Sequence, residues 1–149
     1  MNGFITQTDP KIINFLKKLE LPLARFSIFI VYFWFGFLKI LGLSPAGPLV
    51  ESLFEKTINF MPFDTFYMLF SGFEVVIGIL FLIKGLERVA ILFIALHLVT
   101  TILPLFFLPH ITWQGFLVPT LEGQYIIKNV LIAALAAVIG SRLIPMSKV

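Results

Sequence analysis

Four long apolar runs dominate the chain, at about Leu23–Leu43, Phe66–Ile83, Val89–Leu108 and Leu121–Ile144. Each is close to the ~20 residues that a helix needs to cross a bilayer. The stretches between them have their own patterns. Residues 44–65 carry Pro45, Gly47, Pro48 and Pro62, yet Leu49, Val50, Leu53, Phe54 and Ile58 recur there at helical spacing, with Glu51, Glu55 and Lys56 between them. That pattern predicts a short interfacial helix in the first loop. Lys84-Gly85-Leu86-Glu87-Arg88 predicts a tight turn, and Pro109, His110, Trp113 and Pro119 mark a second loop. Thr120 is placed to N-cap the fourth helix, with Glu122 in its positive first turn.

Ahead of the first run, Asp9, Lys11, Lys17, Lys18 and Glu20 mix with Ile12, Ile13, Phe15 and Leu16. This predicts a short amphipathic helix on the membrane surface, closed by the helix-breaking Pro22. A cleaved signal peptide is a competing reading of the first run, since Ser44-Pro45-Ala46 loosely imitates a cleavage site. The length of the run and Lys39 near its end argue against it. The predicted fold is all-α: an integral membrane four-helix bundle, one transmembrane domain over residues 1–149.

Composition sharpens this picture. The 149 residues are 59% hydrophobic and 13% charged, and 18 are Phe, whereas soluble domains are about 45–50% apolar and about 25% charged. The absence of cysteine excludes disulfides, Cys–zinc sites, iron–sulfur ligation and a thiol relay made by this chain alone. The net charge of +3 comes mostly from the tails and one turn, so it reads as a topology signal and not as a nucleic-acid footprint. Lys11, Lys17, Lys18 and Arg25, then Lys84 and Arg88, then Arg142 and Lys148 share one side if there are four spans, and the other two loops offer only Lys56. Both termini are therefore expected in the cytoplasm, with the chain multi-pass in a cell membrane, a bacterial inner membrane by expectation.

Glu74 is the residue this setting does not explain. It lies inside the second run, roughly 12 Å from the outer surface at ~1.5 Å per residue. On the same scale Lys39 is about 6 Å deep, Lys128 about 10 Å and His97 roughly 16 Å. At about 100° per residue, Ser71, Glu74, Gly78 and Gly85 share a stripe of small residues suited to close helix packing. Tyr32, Gly36 and Lys39 lie on one side of the first span. His97, Thr100, Thr101 and Pro104 form a polar face on the third. On the fourth, Gln124 and Lys128 stack one turn apart, beside Asn129, Ala133, Ala136 and Gly140. Glu74 is thus expected to face the interior and pair with Lys128 or Lys39, with His97 and Tyr32 completing a polar network. A charge paired inside a bundle at bilayer depth is, by default, a functional-site hypothesis. The bland alternatives are that the lysines snorkel, that Glu74 is a protonated packing residue, and that His97 bonds a backbone carbonyl. Arg25 reads as an anchor at the cytoplasmic end. No two-His haem or metal site is available: His97 and His110 are thirteen residues apart and His110 is expected outside. There is no phosphate loop, Ser-His-Asp pattern or Rossmann fingerprint.

"FWFGFLKILGLSP" (Phe33–Pro45), "GFEVVIGILFLIKG" (Gly72–Gly85) and "PTLEGQYIIKNV" (Pro119–Val130), in that order within four spans, resemble the DoxX-like superfamily of small four-helix membrane proteins, especially its YkgB-like branch. The resemblance covers most of residues 23–145. It implies a link to quinone-coupled thiosulfate oxidation, membrane redox complexes or resistance to reactive oxidants, and it supplies no agreed catalytic set. Glu74, Lys39 and Lys128 match recurrent family positions.

Three functions follow as expectations. The first is a redox-associated membrane subunit, in which Glu74 and His97 exchange protons, Lys128 holds negative charge, and a quinone or a redox partner protein supplies the redox centre. The second is a carrier or channel for a small anion or weak acid, with Lys39 and Lys128 attracting the anion and Glu74 coupling a proton; four spans are few for a carrier unless it forms a homo-oligomer. The third is a scaffold or assembly factor whose charges only fix the bundle.

Overall fold

The computed structural model describes the backbone of residues 2–58 and 60–145, and side chains from residue 8 onward. Lys148 lies outside the described residues. In chain order the elements are α1 (Asn2–Ile40), α2 (Gly47–Thr57), α3 (Phe63–Leu82), α4 (Glu87–Ile102), the short turns α5 (Pro104–Phe107) and α6 (Pro109–Thr112), a ribbon of β1 (Trp113–Gly115) and β2 (Val118–Pro119), and α7 (Leu121–Ser141). Four stretches, Thr8–Ile40, Phe63–Leu82, Glu87–Phe107 and Leu121–Ser141, are long and apolar enough to cross a membrane. The chain is a multi-pass, all-α membrane bundle.

The first helix departs from expectation. Pro22 does not end the N-terminal segment, because α1 runs unbroken through both Pro10 and Pro22. A proline removes one N–H donor and crowds the carbonyl four residues earlier, but membrane helices tolerate it where local adjustment satisfies the freed group. The 39 residues of α1 extend about 58 Å, roughly twice the ~30 Å hydrocarbon core. An ion pair of 2.8 Å between Glu20 and Arg142, just past α7, marks where the bundle ends. Residues 9–19 continue beyond it, exposed on every side.

Small residues bring α1 and α3 together. A Cβ on Gly78 would lie 2.8 Å from the Phe33 nitrogen, and one on Gly36 would lie 3.0 Å from the Ser71 carbonyl oxygen and from Glu74 Cβ. The stripe on the second span is therefore a packing face: Ser71, Glu74, Ile77, Gly78 and Phe81 are all buried on it. Gly85 falls outside it, in the turn before α4, where its φ of 90° suits a residue without a side chain. Ile28, Ile77, Phe81, Ala90, Ile94, Ala136 and Ile139 form the core that joins all four spans. Arg25 near the start of the first span meets Phe81 at the end of α3, so neighbouring spans run antiparallel.

The loop end is more structured than its prolines and glycines suggest. The interfacial helix forms as α2, and its buried Phe54 packs on Phe66 at 4.9 Å and on Phe63 at 5.5 Å. Lys56 donates to the Phe107 carbonyl at 3.1 Å, tying α2 to α5. Between α6 and α7 the chain forms the antiparallel ribbon instead of an open loop. Thr120 caps α7 as expected: its hydroxyl accepts from the Gly123 amide at 3.1 Å and donates to the Ile111 carbonyl at 2.7 Å.

Candidate functional site

Four buried polar side chains form one continuous chain across α1, α3 and α4. Lys39 sits in the last turn of α1, where the negative end of the helix dipole favours a cation. That end is closed by a Schellman motif: Gly42 takes φ 69°, its amide bonds the Lys39 carbonyl at 3.0 Å, and the Leu43 amide bonds the Leu38 carbonyl at 2.9 Å. The Lys39 ammonium lies 2.5 Å from each Glu74 carboxylate oxygen, a two-point ion pair. His97 Nε2 is 3.0 Å from Glu74 Oε1, and His97 Nδ1 is 3.1 Å from the Tyr32 hydroxyl. Lys39 and Tyr32 are two turns apart on α1, so the chain leaves that helix, crosses α3 and α4, and returns about 10.5 Å further along it.

The site is dry. Lys39 is 8% exposed, and Glu74, His97 and Tyr32 are each 5% exposed. Phe70 closes one side, stacking on the imidazole at 5.1 Å and lying 5.3 Å from the Lys39 ammonium. An ionised carboxylate can only accept, so Nε2 carries a proton toward Glu74, while Nδ1 meets the Tyr32 hydroxyl, a group that can donate or accept. Glu74 is balanced by one ammonium, and the carboxylate, imidazole and phenol are all paired.

This arrangement decides between the two sequence-level partners of Glu74. It pairs with Lys39. Lys128 is exposed on the outside of α7, its ammonium 5.4 Å from the Tyr125 ring one turn nearer the helix start. Gln124 is exposed on the same side. The reason is the facing of α7, which packs mainly on α4 and α1 through Ile126, Ala136 and Ile139. Two residues from Ile126, about 200° around the helix, Lys128 points away. The third-span face is also divided. Only His97 joins the network, while Thr100 and Thr101 turn their hydroxyls back onto the His97 and Leu98 carbonyls of their own helix.

Sequence reasoning missed a second polar junction. Arg25 Nε donates to the Phe81 carbonyl at 2.7 Å, and its Nη1 lies 2.7 Å from Glu87 Oε1. The other Glu87 oxygen accepts from the Gly85 amide at 2.7 Å. Arg25 therefore clasps the end of α3, the turn and the start of α4 to α1. The available signal was Glu87 in the turn, opposite the only Arg in the first span. Arg25→Leu should lower the unfolding midpoint in detergent by the equivalent of about 1–2 kcal/mol, because it strands the Phe81 carbonyl and one side of Glu87. A midpoint equal to wild type would reduce Arg25 to a surface anchor.

Among the described residues, no three His, Asp or Glu side chains converge as a metal cluster. Comparison with protein families, with curated proteins and with solved structures found no match.

Proposed function

We propose that the chain is a redox-associated subunit of the bacterial inner membrane, with both termini in the cytoplasm, whose Lys39–Glu74–His97–Tyr32 chain exchanges protons for a reaction carried by a partner. The observation that supports this most is the unbroken run of hydrogen bonds from a carboxylate through an imidazole to a phenol. A carboxylate and an imidazole in contact are a standard pair for proton exchange, and an intramembrane ionisable cluster is costly to keep without a use. The resemblance to the DoxX-like superfamily adds the redox setting.

A quinone headgroup needs hydrogen-bond donors for its carbonyl oxygens. The imidazole and the phenol already face partners within the chain. Those two side chains do not fit that group as they stand, and the reading gives the chain proton exchange, with the redox centre held elsewhere.

The test is complementation under oxidant stress in cells lacking the protein, with membrane abundance measured for each variant. Wild type should restore growth, and Glu74→Gln and His97→Phe should fail at equal abundance. Full rescue by both variants would leave the network a scaffold. An oxidant response unchanged by wild type would remove the redox setting.

A further inference from the structure

The part of α1 beyond the bundle has a face that its surroundings leave bare. Ile12, Phe15, Leu16, Leu19 and Leu23 are between 38% and 63% exposed. At about 100° per residue they fall on one stripe roughly 100° wide, the width of a helix face that is normally covered. Lys11 and Lys18 border one edge and Lys17 lies beyond the other. The only acids here are Asp9 at the start and Glu20, which is held by Arg142.

We infer that residues 9–19 bind the anionic headgroup surface of the membrane that the bundle spans, the helix bending near Pro22 to lay the stripe on the lipid. Three features point to lipid. The segment continues directly from a span, which holds it at the level of the headgroups. Lys11 and Lys18 border the stripe, where their stems run along apolar surface and their ammonium groups reach phosphates. Its unpaired charge is positive, complementary to anionic lipid. Pro22 is where the bend would fall: the helix runs through it in the structure, but a proline offers no N–H to the Lys18 carbonyl, and helices kink at such sites.

The chain has no cysteine, so single-cysteine spin labels can be placed on the full-length protein. Labels at residues 12, 16 and 19 would be compared with one at Asn14, in phosphatidylcholine vesicles with and without phosphatidylglycerol. With phosphatidylglycerol, the three stripe labels should lose nickel-chelate accessibility several-fold and gain oxygen accessibility, while the Asn14 label stays open to nickel. Changing Lys11, Lys17 and Lys18 together to Gln, or Pro22→Ala, should reverse this. Stripe labels that stay open to nickel in anionic vesicles would overturn the inference. So would shielding that is equal in phosphatidylcholine alone, whether from uncharged insertion or from contact between copies, which a short label-to-label distance at residue 16 would reveal.

Discussion

Lys39→Met is expected to destabilise the detergent-solubilised bundle by about 3–5 kcal/mol, the range for removing one partner of a buried ion pair. Methionine nearly matches the lysine stem in volume, so the loss comes from charge and not from a cavity. Glu74 would keep its His97 bond but lose the cation at 2.5 Å that balances it. Glu74→Gln alone strands the ammonium in the same way. The double variant Lys39→Met with Glu74→Gln removes both charges and leaves an amide that can still accept from His97. Its cost should therefore fall short of the sum of the singles by on the order of 1–3 kcal/mol. Lys128→Met should be close to silent, because Lys128 is exposed and its ammonium faces the Tyr125 ring. Thermal midpoints of wild type, these variants and the double variant Glu74→Gln with Lys128→Met decide the matter. Additive costs for Lys39 and Glu74, or coupling of Glu74 to Lys128 instead, would reject the pairing. If the double variant folds well yet fails in cells under oxidant, the carboxylate is needed for proton exchange and not merely for packing.

The spans were readable because lipid forces every backbone polar group to be satisfied within a helix, so length and hydropathy alone mark them. The interfacial helix and the Thr120 cap were readable for local reasons, helical spacing in one case and side-chain chemistry in the other. What stayed ambiguous was which lysine meets Glu74. Depth along the axis could not separate Lys39 from Lys128, since both fall in the same half of the bilayer. The deciding quantity is rotation about α7, and in lipid a helix exposes apolar side chains as readily as it buries them. The small residues on α7 therefore did not fix its inward face, whereas Gly36 beside Lys39 and Gly78 beside Glu74 did fix theirs. Pro22 misled because the penalty for proline is read from soluble helices. The ribbon of residues 113–119 was missed because its pairing depends on register across a turn.

Gly123→Ala should cost about 3 kcal/mol, although alanine is the better helix former by up to ~1 kcal/mol. A Cβ at this position would lie 2.1 Å from the Thr112 carbonyl oxygen and 3.1 Å from Pro119 Cβ. The first obstacle is backbone, so no rotamer change relieves it. Thr112 is fully buried and its carbonyl accepts from the Thr120 amide at 3.0 Å. Making room means drawing α7 away from α6 and the ribbon. Overpacking of this kind costs typically 1–3 kcal/mol, and the Thr120 bonds that cap α7 would stretch at a further ~1 kcal/mol each. Thr120→Ala alone should cost about 1 kcal/mol as a lost cap. Because both changes loosen the same junction, the double variant should cost less than their sum. Gly72 is the control: it lies inside α3 with nothing within 4 Å of an added Cβ, so Gly72→Ala should be neutral or stabilising. Opposite signs at the two glycines are the expected result in thermal unfolding. A Gly123→Ala protein as stable as wild type would mean that α7 does not sit against Thr112.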